Sequence, residues 1–95
     1  MLFHTTWRHK PGYTADDQKQ VLKIWSEWTP PKGMEIKSFH MSPDGRGFVI
    51  SEANDAAAVY ESVAPWSGVL LEYDIVPVIE VDQAVQILQK AIEKR

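Results

Sequence analysis

Residues 65–80, PWSGVLLEYDIVPVIE, carry the strongest strand signal in the chain and decide how the rest is arranged. The opening proline ends the preceding segment, because proline cannot continue a helix. Residues 69–79 are rich in β-branched and large apolar residues, and Glu72 and Asp74 alternate with apolar neighbours, as in a strand with two unlike faces. Pro77 cannot donate to a sheet ladder, which predicts that this end lies at a sheet edge or beyond the last pairing. A strand this apolar must be covered by the rest of the chain.

The composition excludes several classes of protein. The 95 residues suit one domain, which we expect to span residues 1–95. Ten basic and thirteen acidic residues form no basic run, which argues against a nucleic-acid partner. Without cysteine there is no disulfide, thiolate nucleophile or cysteine-ligated metal. No apolar run suits a membrane span or signal peptide, so we expect a soluble, cytoplasmic protein without a membrane partner.

The remaining patterns place three strands and two helices before this stretch and one helix after it. We predict strands at 2–8, 34–41, 47–52 and 69–79, and helices from a Thr14 cap to about Trp28, over 55–64 with an Asn54 cap, and from Asp82 onward. Asp44-Gly45 marks a hairpin between the second and third strands. The order β-α-β-β-α-β is the ferredoxin-like plan, an α+β fold with a four-stranded antiparallel sheet, here with an extra C-terminal helix.

Side-chain periodicity assigns residues to faces. In the second strand, strict alternation predicts one face with Ile36, Ser38 and His40 and the other with Glu35, Lys37, Phe39 and Met41. In the second helix it predicts an apolar face with Ala56, Val59, Tyr60 and Val63.

The predicted sheet has helices on one face only, yet large apolar residues alternate along its strands. They are Phe3, Trp7, Phe39, Phe48 and Ile50, and some of them must point away from the helices. A large exposed apolar face usually marks an interface, so we expect a homodimer with sheet packed on sheet. The alternative is that the third helix folds across an edge or over the open face.

Several segments resemble a family of short bacterial proteins of unknown function. They are MLFHTTWRHKPG at the start, the PPKG connector, PDGRGFVISEANDAAAVYE in the middle, and then APW and EYDIVPVIE. That family looks like part of the dimeric α/β-barrel superfamily, in which two sheets pack into a barrel and each protomer keeps a pocket between sheet and helices. The resemblance covers nearly the whole chain and implies a dimeric α/β barrel. It does not fix an activity, because the superfamily includes monooxygenases, haem-degrading enzymes, cyclases, isomerases and stress proteins.

Site residues of that superfamily match this chain poorly. Haem-degrading members use an Asn, a Trp and a His at positions that fall here near Thr5, Glu52 and Ser62, and none matches. Cyclase-like members rely on a His and a Tyr that face the pocket, and the resemblance makes His4 and Tyr73 the corresponding pair.

Three polar residues in the predicted strands are the catalytic candidates. His4 could act as a general acid or base in a barrel pocket. Glu52 could line the same pocket as an acid, and the Tyr73 hydroxyl needs a partner if it is buried. Each also has a structural interpretation, as a hydrogen-bonded histidine, a carboxylate at a helix start and a core tyrosine.

Four further residues are candidate ligand contacts. Trp7 and Trp66 could wall a pocket for a flat apolar ligand, or they could simply fasten a turn to the sheet. His40 lies beside the hairpin and could be an exposed strand-end residue. Glu72 shares a strand face with Asp74, and such a pair can share a proton or bind a hard cation, or form a solvated face. The other tryptophans, Trp25 and Trp28, share a helix face and are expected to pack on the sheet.

No metal-ligand spacing, phosphate-binding loop or nucleophile motif is present, and nothing in the sequence demands a cofactor. Two classes of function are compatible with these patterns. The first is an enzyme or binder that holds a small apolar or aromatic metabolite between sheet and helices. The second is a non-catalytic dimerisation, stress or regulatory module.

Overall fold

A computed structural model describes all 95 residues, Met1–Arg95. The elements follow the predicted order β-α-β-β-α-β-α. They are β1 (Leu2–His9), α1 (Ala15–Glu27), β2 (Met34–Met41), β3 (Gly47–Ala53), α2 (Ala56–Val63), β4 (Leu71–Val78) and α3 (Val81–Glu93). None of the three helices is long and apolar enough to cross a membrane.

The four strands form one antiparallel sheet in the order β2-β3-β1-β4, which is the ferredoxin-like arrangement. Pro77 therefore lies in an edge strand, where its missing N–H costs no ladder hydrogen bond. The predicted hairpin is also confirmed, since Ser42 N donates to the Arg46 carbonyl at 2.8 Å and Gly45 takes a φ of 86°.

The core lies between the sheet and helices α1 and α2. One cluster joins Phe3 and Ala53 of the sheet to Ala58 and Val59 of α2. A second cluster holds Trp66, Leu70 and Leu71, in and after the turn that precedes β4. Helix α1 buries none of its residues completely, so it covers the sheet loosely.

Both sheet-packed helices begin with side-chain caps. Thr14 and Asp17 form a capping box, in which Thr14 Oγ1 accepts from Asp17 N at 3.1 Å. The prediction that Asn54 caps α2 was wrong. Asp55 Oδ1 accepts from Ala58 N at 3.0 Å and caps the helix. The backbone N–H of Asn54, one residue earlier, donates to the Gly33 carbonyl just before β2.

The apolar face predicted for α2 was partly wrong. Its buried residues are Ala58, Val59, Ser62 and Val63. Ala56 and Tyr60 are exposed, because the helix is rotated so that the face with Ala58 and Ser62 lies on the sheet.

The predicted faces of β2 were also wrong in part. The pairing of β2 with β3 shifts register between Ile36 and Ser38, which marks a β-bulge. A bulge adds one residue and reverses the alternation beyond it. Ile36 therefore lies on the helix-covered side with Phe39 and Met41, while Ser38 and His40 share the other face with Glu35.

The second face of the sheet has neither α1 nor α2 on it, and we call it the open face. Its apolar residues are Leu2, Phe48, Ile50, Val76 and Val78, with His4 near its centre. The expectation that large apolar residues would point away from the helices is thus confirmed for Phe48 and Ile50. Phe3, Trp7 and Phe39 lie on the helix-covered side.

Candidate functional site

A cavity of about 510 Å³ lies between α1 and the helix-covered side of the sheet. It exists because α1 packs loosely on the sheet and leaves space between the two. Of the 20 lining residues, 15 are hydrophobic, so the space favours an apolar occupant. We call it the aromatic cavity after its main lining residues, which are Trp7, Trp25, Trp28, Phe39, Trp66 and Tyr73.

Aromatic rings contact one another around this cavity. The ring of Trp7 meets Phe39 edge-on at 5.4 Å between centroids and lies 6.1 Å from Tyr73. On α1, Trp25 stacks on Trp28 at 5.5 Å and lies 5.5 Å from Phe39. Trp25 is nevertheless 48% exposed, so the cavity opens to solvent between α1 and β2.

Two of the indoles are fixed by hydrogen bonds across elements. Trp28 Nε1 donates to the Ser62 carbonyl of α2 at 2.9 Å, and Trp66 Nε1 donates to the Val21 carbonyl of α1 at 3.3 Å. These bonds tie α1 to α2 and to the turn before β4. The α1 side of the cavity wall is therefore held in place by these bonds, in addition to the contact of Trp25 with Phe39 of the sheet.

Thr5 and Tyr73 place hydroxyl groups on the sheet side of the cavity. Thr5 lies on central strand β1 and is 3% exposed, and its Oγ1 has no hydrogen-bond partner within the chain. A buried hydroxyl without a partner costs about 1–3 kcal/mol, which calls for an explanation. The second hydroxyl belongs to Tyr73, and burial alone raises its pKa above the ordinary value of 10.0. The Tyr73 hydroxyl is protonated and able to donate at neutral pH, as in any tyrosine, and burial extends this to more alkaline pH.

The raised pKa of Tyr73 predicts how stability depends on alkaline pH. The unfolded chain loses the Tyr73 proton above about pH 10, while the folded chain retains it. Folding thus binds a proton, so this contribution is complete below pH 10 and is lost as pH rises through the folded pKa. We expect Tyr73→Phe to lessen the fall in unfolding free energy between about pH 8 and about pH 11, measured by urea denaturation.

Tyr60→Phe is the matched control for that measurement, since Tyr60 is 64% exposed. It should leave the alkaline fall unchanged. An equal fall in wild type and Tyr73→Phe would mean that burial does not perturb the Tyr73 hydroxyl.

The structure does not bring the three catalytic candidates together. Tyr73 lines the aromatic cavity, but His4 and Glu52 are on the open face, because neighbouring residues of a strand point to opposite sides. His4 lies 6.5 Å from the ring of Phe48, and Glu52 Oε1 lies 2.6 Å from the Met1 nitrogen. The pairing of His4 with Tyr73 across one pocket was therefore wrong, and a catalytic role for either remains a prediction.

The predicted ligand contacts are divided in the same way. Trp7 and Trp66 line the aromatic cavity, as walls, and Trp66 is also part of the core. His40 and Glu72 are on the open face, with His40 5.3 Å from the Phe48 ring.

The acidic pair of β4 is engaged by a cation. Arg8 lies 3.3 Å from the Glu72 carboxylate and 2.9 Å from that of Asp74. The pair is thus a partly solvated strand face with its own counter-ion. No group of three or more His, Asp or Glu side chains is arranged to hold a metal ion.

Sequence reasoning missed three of the residues that shape the cavity. Thr5 lies between the apolar residues Phe3 and Trp7 on the helix-covered side of β1. A polar residue among apolar ones is the sequence feature that could have identified it. Trp25 was assigned to packing, yet half of it is exposed beside the cavity. Phe39 was predicted to share a face with Glu35, because strict alternation does not anticipate the bulge in β2.

A comparison with protein-family models finds a match. The family model described as Domain of unknown function (DUF3303) matches residues 1–92, which include every element except the last residue of α3. That description names no activity or ligand. A comparison with curated proteins finds no match.

Proposed function

The chain belongs to the DUF3303 family, and from the geometry of its cavity we propose that it binds an uncharged, flat and largely apolar small molecule. The observation that carries the proposal is the aromatic cavity of about 510 Å³ with the unpartnered Thr5 hydroxyl in its floor. Cavities of this size and lining suit small organic ligands, with a few polar groups that fix their orientation.

The lining determines the charge of the ligand. No Asp, Glu, Lys or Arg lines the cavity, so a charged ligand would lose its hydration without gaining an ion pair. Trp28 and Trp66 have already committed their N–H groups to backbone carbonyls. On the sheet side of the cavity, the hydroxyls of Thr5 and Tyr73 can bind one polar group of the ligand.

The geometry favours binding over acid–base catalysis. His9 is the only imidazole in the lining, and its ring stacks on Tyr13 at 4.0 Å with an interplanar angle of 5°. General acid–base chemistry needs a titratable side chain within hydrogen-bond reach of the reacting group. The cavity floor offers two hydroxyls and no carboxylate or imidazole.

The charge preference can be tested with two dyes of the same skeleton. We expect the uncharged N-phenyl-1-naphthylamine to bind, with increased dye emission on excitation of tryptophan. Its sulfonated relative, 1-anilinonaphthalene-8-sulfonate, should bind at least about tenfold more weakly, because burying its charge is unfavourable. Equal or tighter binding of the sulfonate would overturn the proposal for an uncharged ligand.

Thr5→Val is expected to separate ligand binding from stability. Loss of a hydrogen bond to the ligand should weaken binding of the uncharged dye by about two- to tenfold. The free energy of unfolding should stay the same or increase by up to about 1 kcal/mol, since the buried hydroxyl has no partner to lose. Fluorescence titration and urea denaturation measure the two effects.

Thr6→Val is the matched control, because Thr6 is the next residue and points to the open face. It should leave dye affinity unchanged. If Thr5→Val instead lowers stability and leaves affinity alone, the Thr5 hydroxyl is structural and does not contact the ligand.

The second candidate function is a non-catalytic dimerisation, stress or regulatory module. It is favoured by helix α3, none of whose apolar residues is fully buried within the chain. This candidate requires no ligand, so failure of the uncharged dye to bind would favour it.

A further inference from the structure

The polar groups around the aromatic cavity differ in their access to water. His9 and Gln18 are exposed, and Tyr13, whose ring stacks on His9, is partly exposed, so water can satisfy these side chains. Ser62 Oγ is buried but already donates to a backbone carbonyl of its own helix at 2.5 Å. Thr5 is 3% exposed, and its Oγ1 has no partner in the chain. Thr5 is therefore the fully buried polar residue of the lining whose hydrogen bonding a ligand can complete.

Tyr73 brings a second hydroxyl to the same part of the sheet. In the antiparallel pairing of β1 with β4, Thr5 is opposite Ile75 and Trp7 is opposite Tyr73. Tyr73 is therefore the diagonal neighbour of Thr5 on the same side of the sheet, and such neighbours are within reach of an aromatic side chain. Both side chains line the aromatic cavity. Their positions allow the two hydroxyls to contact one polar group of a ligand.

Both hydroxyls carry a proton that has no acceptor in the chain. Tyr73 Oη, like Thr5 Oγ1, makes no hydrogen bond to another residue, and burial raises the pKa of Tyr73, so the proton is retained. No carboxylate lines the cavity. The carbonyl groups of β1 point toward β3 and β4 in the plane of the sheet, where the ladder uses them. The sheet side of the cavity thus has two donors and lacks an acceptor.

A carbonyl oxygen matches this arrangement. It has two lone pairs and no proton, so it can accept from two hydroxyls at once. With a ligand hydroxyl, three protons must be paired among three oxygens, which requires a closed ring of hydrogen bonds with little geometric freedom. A buried donor that stays unpaired is unfavourable, which disfavours ligands that bring a further proton.

We propose that the ligand of the aromatic cavity is a flat aromatic ketone or aldehyde, whose carbonyl oxygen accepts from Tyr73 Oη and Thr5 Oγ1. This inference rests on the ligand binding proposed above and adds the chemical class of the ligand. The aromatic part of the ligand packs against the rings of the wall, where Trp25 stacks on Trp28 and also contacts Phe39 of the sheet. The carbonyl end lies against the sheet.

Two naphthalene compounds of nearly the same shape test the inference. 2-Acetylnaphthalene has a carbonyl oxygen where 2-isopropenylnaphthalene has a methylene group. The dissociation constant of each compound is measured by displacement of N-phenyl-1-naphthylamine from the full chain and from each variant. The ratio of the alkene constant to the ketone constant is then compared between proteins. The hydration of each free compound is the same in every experiment, so it cancels in this comparison.

We expect the ratio to fall about two- to tenfold in Thr5→Val and in Tyr73→Phe, since each substitution removes one hydrogen bond to the carbonyl oxygen. Thr5→Ser keeps a hydroxyl and should keep the ratio. Ser51→Ala is the matched control. Ser51 is fully buried opposite Phe3 on the same side of the sheet, and its hydroxyl also has no partner, but it does not line the cavity. Its substitution should leave the ratio unchanged.

Circular dichroism establishes that each variant is folded. A ratio that stays the same in Thr5→Val and Tyr73→Phe would overturn the carbonyl contact, while displacement of the dye by both compounds would leave the proposed ligand binding intact. A fall in Tyr73→Phe alone would overturn the contact with two donors. If 1-(2-naphthyl)ethanol lost as much affinity as the ketone in both variants, the preference for a ligand without its own proton would be wrong. Failure of the dye and of every naphthalene to bind would overturn the ligand site itself, and this inference with it.

Discussion

Phe3→Ala is expected to lower the free energy of unfolding by about 3–5 kcal/mol, the usual cost of removing a buried phenylalanine ring. Phe3 is 3% exposed and packs with Ala53, Ala58 and Val59 in the cluster that joins the sheet to α2. Its small neighbours cannot extend into the space that the ring leaves. A domain of this length is stable by about 5–14 kcal/mol, so the loss is a large part of the total. Urea denaturation followed by tryptophan fluorescence measures it.

Phe48→Ala is the matched control, because it removes the same ring from the opposite side of the sheet. Phe48 is much more exposed and contacts His4 and His40 on the open face. We expect a loss of about 1 kcal/mol or less. Equal losses for the two variants would contradict the assignment of the core to the Phe3 side.

The sequence predicted the fold because its signals are local and mutually consistent. The alternation in residues 69–79, the Thr14 cap and the Asp-Gly turn each specify one element, and their order leaves few arrangements of one sheet. Side assignment within a strand also succeeded where alternation is unbroken, as in β4, where Glu72 and Asp74 lie on one face and Tyr73 on the other. It failed in β2, because a bulge is set by the pairing with β3 and leaves no clear mark in the sequence.

The site was less predictable, since it depends on distances between elements. The functional predictions favoured histidine and carboxylate residues, because these side chains can act as general acids or bases. His4 and Glu52, however, are on the side away from the cavity, which only the combined strand register shows. Thr5 was considered only because it lies near the position where haem-degrading proteins have an Asn. Its proposed role rests on burial without a partner beside the cavity, and the cavity depends on the distance between α1 and the sheet.

Gly47→Ala is expected to perturb both the fold and the aromatic cavity. Gly47 pairs with Trp7 across β1 and β3, and an added Cβ would lie 1.9 Å from Cζ2 of the indole. The rigid ring must move, and it forms part of the cavity wall. Overpacking of this kind costs about 1–3 kcal/mol, occasionally more. We therefore expect a lower free energy of unfolding together with weaker binding of N-phenyl-1-naphthylamine.

Gly68→Ala separates these two effects. Gly68 has a φ of 76°, and nothing lies within 4 Å of an added Cβ, so its substitution strains the backbone without touching the cavity. It should cost about 1–2 kcal/mol in stability and leave dye affinity unchanged. If Gly47→Ala also kept full dye affinity, the Trp7 ring would have a second position compatible with the ligand. The binding proposal would then rest on the α1 tryptophans and Thr5, because the wall formed by β1 would not be required.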